Sequence, residues 1–146
     1  MKGGTTGTQE GATRLQLQRL DGYLSSGLFT EWHHGDCIGA DEETDGIAEK
    51  YGIRRVAHPP TNSSKRAFCK AELILPPRPY LDRNEDIVDA VDIMFGLPKG
   101  MAEEIRSGTW ATIRYAKKWR KQLVILWPDG TETRLFIDKG VVELES

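Results

Sequence analysis

Residues 84–98 read Asn-Glu-Asp-Ile-Val-Asp-Ala-Val-Asp-Ile-Met-Phe-Gly-Leu-Pro, and two periodicities meet there. Ile87, Val88 and Val91 recur at helical spacing behind Asn84, a residue type that caps helices. Residues 93–97 then form an unbroken apolar run that Pro98 stops. So short a run fits a strand covered on both faces, as in a parallel sheet between two layers of helices. A helix leading directly into a buried strand is half of a βαβ unit, so the rest of the chain is read for the other halves.

Downstream, residues 109–121 predict a last helix and residues 123–127 a second buried strand. Upstream, Thr13 and Gln16 stand at capping-box spacing before a helix with Leu17, Leu20 and Leu24 on one face, which Gly27 can end. Residues 29–33 read as a strand, and residues 41–51 as a helix with acids in its first turn and Gly52 as its stop. A further strand at 55–58 is cut by Pro59 and Pro60. Residues 61–83 carry Pro76, Pro77 and Pro79 and read as a long irregular connection, a kind of loop that tends to cover a site. Asp129-Gly130 is a hairpin signal, with antiparallel strands expected at 131–137 and 141–144. The expectation is one α/β domain over residues 1–146, doubly wound around a mostly parallel sheet. Its core spans about residues 5–129, and residues 130–146 add an antiparallel hairpin extension. The opening Lys2-Gly3-Gly4-Thr5 lacks the apolar residues of a buried strand, so a first strand there is expected to be short or at an edge.

Charge is nearly balanced, 20 Lys plus Arg against 22 Asp plus Glu, so no overall field draws the chain to nucleic acid or an anionic membrane. Any anion site must be local. The longest apolar run is far short of the ~18 residues of a membrane span, and the N-terminal residues lack a signal-peptide core, which predicts a cytoplasmic protein. Cys37 and Cys69 have no paired spacing and are expected to be reduced, without a structural zinc site.

Three loops of small residues each precede a predicted helix. In the first, Thr6, Gly7 and Thr8 offer hydroxyls and a close backbone approach to phosphate or ribose. The second contains Gly35, Asp36, Gly39 and Asp41, whose carboxylates suit hydroxyls or an amine better than phosphate. His33, His34, Asp36 and Cys37 in this loop are not expected to share a metal, because neighbouring strand residues face opposite ways. Nearby carboxylates would raise the Cys37 pKa, against a nucleophilic role. The third, Arg106, Ser107, Gly108 and Thr109, combines positive charge with a helix N-terminus and is the best phosphate candidate. Trp110 beside it is a candidate for stacking on a base, whereas Trp119 is expected in the core. Arg83 and Asn84, at the end of the long connection, are expected to close over the ligand. The basic run at 117–121 reads as the C-terminal turn of a helix, not as a nucleic-acid patch.

Thr6-Gly7-Thr8, the segment HGDCIGAD at 34–41, PYLDRNEDIVDAVD at 79–92 and SGTWATIRYAKK at 107–118 together resemble the SLOG superfamily of Rossmann-like proteins. That group includes the LOG phosphoribohydrolases, the DNA-processing protein DprA and sensors of NAD-derived nucleotides. The resemblance is closest to small stand-alone members carried by bacteria and phages. It implies a nucleotide-derived ligand of the NAD, ADP-ribose or cyclic-nucleotide class at the strand ends, and a homo-oligomer, for which Trp32, Phe95 and Trp127 leave room. LOG enzymes and nucleoside deoxyribosyltransferases carry a catalytic glutamate where this chain has Thr112, so the resemblance implies binding without turnover and no cofactor. The expected role is to sequester or sense the ligand, as in a phage anti-defence sponge. The alternatives are an N-glycosidase or deoxyribosyltransferase with a displaced carboxylate, and DprA-like single-strand DNA binding.

Overall fold

The computed structural model describes residues 1–138, so the strand expected at 141–144 lies outside the described residues. In chain order the elements are β1 (Lys2–Gly7), α1 (Arg14–Leu24), β2 (Glu31–His34), α2 (Ala40–Lys50), β3 (Arg54–Ala57) and β4 (Leu73–Ile74). They continue as α3 (Tyr80–Ala90), β5 (Ile93–Leu97), α4 (Gly108–Lys118), β6 (Gln122–Leu126) and β7 (Glu132–Leu135). The sheet has seven strands in the order β4-β3-β2-β1-β5-β6-β7. Every pairing is parallel except β6 with β7, as a doubly wound sheet with a terminal antiparallel hairpin requires.

Alternation along the central strands splits the core in two. Phe95, Leu97, Val124 and Leu126 point to the side of α1 and α2, joining Leu20, Leu24 and Ala48. Met94, Leu123 and Ile125 point the other way, under Ile87 and Val88 of α3 and Ile113 of α4. Residues 93–97 are therefore apolar throughout because both faces are buried, as the uninterrupted run predicts.

β1 departs from expectation. It is six residues long and central, lying between β2 and β5. Its glycines replace apolar side chains because the neighbours fill the space: a Cβ on Gly3 would lie 2.7 Å from the Phe29 ring, and one on Gly7 would lie 2.5 Å from the Ala40 Cβ. Chain order reverses between β1 and β5, and a doubly wound sheet opens a crevice at the carboxyl ends of the strands at such a switch point.

The Thr13–Gln16 capping box opens α1 as read from the sequence. By contrast, α3 begins at Tyr80 with Pro79 as its N-cap, so Asn84 sits within the helix instead of capping it. The irregular connection accordingly ends at Pro79. Trp119 is 60% exposed and not in the core, while Trp32 and Phe95 are fully buried and unavailable to any partner.

Candidate functional site

The crevice at the ends of β1 and β5 is a cavity of about 480 Å³, within the ~300–1,000 Å³ range of small-molecule sites. Four segments wall it. From the end of β1 and the loop beyond come Thr6, Gly7, Thr8, Gln9 and Glu10; after β2 come Gly35, Cys37 and then Asp41. α3 presents Tyr80, Arg83, Asn84 and Ile87, an i, i+3, i+4, i+7 stripe. The β5–α4 loop and the start of α4 give Lys99, Glu104, Arg106, Ser107, Gly108 and Thr109.

Three residues singled out from the sequence do not line the cavity. Asp36 is fully buried; one carboxylate oxygen accepts from Arg66 Nε at 2.7 Å and the other from the Cys69 N–H at 2.8 Å, so it ties down the connection after β3. Gly39 is the N-cap of α2 with φ 85°, packed so tightly on the β1–α1 loop that a Cβ would meet the Thr8 carbonyl oxygen at 2.4 Å. Trp110 is turned inward beside Ile113 and Ala116, its ring 5.7 Å from that of Trp127, and has no surface to offer a ligand.

Arg83 is the unusual charge of the site. It is only 4% exposed. Its guanidinium donates from Nη1 to the carbonyls of Gly35 and His58, the latter at 3.1 Å, and lies 5.1 Å from the centre of the Tyr80 ring. Its Nε has no partner, and no carboxylate among the described residues forms an ion pair with it. Arg55 shows the ordinary solution: Asp45, Glu49 and Glu72 contact its guanidinium at 2.9, 3.2 and 2.7 Å.

At the start of α4, Ser107 Oγ accepts the Trp110 N–H at 3.3 Å, leaving the N–H groups of Gly108 and Thr109 without an acceptor among the described residues. Lys99 is held by Glu10 at 3.5 Å and Glu104 at 3.8 Å across the mouth. Asp41 accepts the Cys37 N–H at 3.2 Å. Burial pushes the Asp41 carboxyl above its usual range, opposed by the positive charge of Arg83 and by the Cys37 N–H that it accepts. Burial, more than the neighbouring Asp41 charge, also raises the Cys37 thiol, so the sulfur is a neutral wall atom and not a nucleophile.

A His34–Asp45–Cys69 cluster, not foreseen because its members are far apart in sequence, brings its candidate ligand atoms within 4.8 Å of one another. Its hydrogen bonds speak against a metal. His34 Nδ1 accepts the Asp36 N–H at 2.9 Å, so the neutral ring carries its proton on Nε2, which donates to Asp45 at 2.8 Å. A cation at Nε2 would have to displace that proton. His33 faces the other side of the sheet, in a chain with Glu31 at 2.9 Å and His58 at 2.8 Å. Thr112 is 2% exposed, and its hydroxyl donates to the Gly108 carbonyl at 2.9 Å.

No family model and no curated protein matches the sequence. Among solved structures, the chain is similar to the molybdenum cofactor binding protein from the phototrophic bacterium Rippkaea orientalis, with TM-score 0.67 and 18% identity over 99% of this chain and 81% of that one. A second likeness is to the molybdenum cofactor carrier protein from Chlamydomonas reinhardtii, with TM-score 0.61 and 16% identity over 85% of this chain and 74% of that one. The chain also matches DNA processing protein A from Streptococcus pneumoniae, with TM-score 0.59 and 12% identity over 85% of this chain and 49% of that one. The fold is the Rossmann-like α/β type that these structures share. At these identities the likeness extends to the fold alone. No helix among the described residues is long and apolar enough to cross a membrane.

Proposed function

We propose that the cavity captures a phosphorylated, nucleotide-derived small molecule of the NAD, ADP-ribose or cyclic-nucleotide class and holds it without turning it over. The observation that carries this reading is Arg83, a buried cation in the cavity wall with an unused Nε and no carboxylate in ion-pair contact among the described residues. A buried, unpaired charge costs several kcal/mol, and an anionic ligand removes that cost. The remaining roles follow from chemistry. The N–H groups of Gly108 and Thr109 take phosphate oxygens at the positive end of α4, with Arg106 beside them. Thr6 and Thr8 support the phosphate, Asp41 accepts from ribose hydroxyls, and Asn84 adds an amide.

Absence of turnover is supported by Thr112, whose hydroxyl is committed to the helix backbone at the position where LOG enzymes carry a glutamate. In this reading the protein withdraws a nucleotide signal of bacterial immunity on behalf of a phage. It acts as a homo-oligomer, supported by the exposed apolar side chains Leu81 and Ile105 next to cavity residues. A second reading, carriage of the molybdenum cofactor, draws on the fold neighbours.

The test incubates the protein with NAD, ADP-ribose, cyclic ADP-ribose isomers, nucleoside monophosphates and the molybdenum cofactor. The free pool is analysed by mass-resolved chromatography before and after heat denaturation. A nucleotide that disappears and returns intact on heating supports capture. Release of a free base means catalysis, and depletion of the molybdenum cofactor alone selects the second reading.

A further inference from the structure

Among the described residues, Tyr80 is the only aromatic residue in the cavity wall, and Ile87, two turns along the same helical face, is the only aliphatic one. All other lining side chains are polar, charged, glycine or the Cys37 thiol. The ring also has a cation against it before any ligand arrives. Tyr80 is the first residue of α3, fastened by Pro79, and the Arg83 guanidinium, held by two backbone carbonyls, sits 5.1 Å from the ring centre. A cation held in place beside an aromatic ring attracts its face and favours this ring position. A preset platform loses little entropy when a flat partner lands on it. Trp110, the stacking candidate legible in the sequence, is removed from contention by its burial against Trp127.

We propose that Tyr80 is the specificity-determining surface of the cavity, the platform on which the planar heterocycle of the ligand stacks while its phosphate lies at the start of α4. The assignment rests on the nucleotide-capture reading above. It makes the heterocycle, and not the sugar phosphate alone, a requirement for tight binding. Substituents on the base edge contribute less than its flatness, because a π face is common to all bases.

Calorimetric titration of the full chain with AMP and with ribose 5-phosphate, which differ by the adenine alone, tests this. Tyr80→Leu is expected to weaken AMP by roughly five- to hundredfold and to leave ribose 5-phosphate unchanged, while Tyr80→Phe keeps both. Equal loss of both ligands, or no loss of AMP, overturns the assignment. If Tyr80→Leu fails to fold, Tyr80→Trp decides: AMP must quench the new indole and ribose 5-phosphate must not, and an unquenched indole with AMP bound overturns it. Wild-type protein that binds neither compound overturns the assignment, and failure with NAD, ADP-ribose and the cyclic ADP-ribose isomers as well removes the capture reading itself, an outcome distinct from a Tyr80 variant that binds AMP normally.

Discussion

Replacing Arg83 with methionine separates a side chain kept for a ligand from one kept for the fold. Methionine has similar length, adapts to irregular space and carries no charge. The change forfeits the hydrogen bonds to the Gly35 and His58 carbonyls, each worth about 1–3 kcal/mol for a charged donor. It also removes a buried charge that no carboxylate among the described residues contacts directly, a cost of about 3–5 kcal/mol when isolated, part of which the nearby Asp41 offsets. The two contributions cancel to within about 2 kcal/mol, a shift in Tm of no more than about 6 °C for a chain of this size. Ligand linkage is lost in full. Wild-type protein at a ligand concentration 100 times Kd gains about 2.7 kcal/mol, or about 8 °C, and Arg83→Met gains nothing. Thermal melts of both proteins with and without ADP-ribose read both quantities in one experiment. An Arg83→Met protein that melts far lower yet keeps its ligand shift would refute the reasoning, because Arg83 would then be a structural tie.

Acid should destabilise the fold before its carboxylates titrate. Burial pushes His58 down to about 3, and His33 is lowered as well, again by burial. The unfolded chain therefore takes up protons first, so stability is full above about pH 6.5 and falls by about 1.4 kcal/mol per pH unit below it through His58 alone. Asp41, raised by burial, titrates in the opposite sense. Urea denaturation should show a loss of about 2 kcal/mol between pH 7 and pH 5, largely abolished by His58→Gln; an unchanged slope in that variant would disprove the assignment. Phe95 is fully buried among Tyr23, Phe29 and Trp32, with ring centres 4.9, 5.9 and 5.7 Å away. Phe95→Ala should cost about 3–5 kcal/mol in urea denaturation.

What the sequence conveyed depended on whether a residue's environment leaves a trace in its own identity. Residues 93–97 did so, because two buried faces demand an unbroken apolar run. β1 did not, because its neighbours supply the bulk and leave it only glycine. The three loops were read from small residues and helix starts, and members of each do converge on one cavity. The start of α3 was misplaced because Asn84 resembles a cap, although the spacing of Tyr80, Arg83, Asn84 and Ile87 carried the helical period across it. Trp110 followed the same rule unnoticed, since its spacing from Ile113 and Ala116 puts it on the apolar face of α4. Asp36 and the His34–Asp45–Cys69 cluster depend on partners distant along the chain, which local pattern cannot reveal.

The central place of β1 has a consequence for how the protein is made. Thr5 donates its hydroxyl to the Phe95 carbonyl, 90 positions further on, and Gly3 to Gly7 of the strand pair along β5. β1 leaves the ribosome well before β5 and is thus missing one neighbour until the roughly 90 residues between them have followed. Through that interval its glycines carry no apolar side chains to recruit a wrong partner. A strand poor in hydrophobic residues is a safe one to leave waiting, and the aromatic side chains that complete it arrive from β2 and β5.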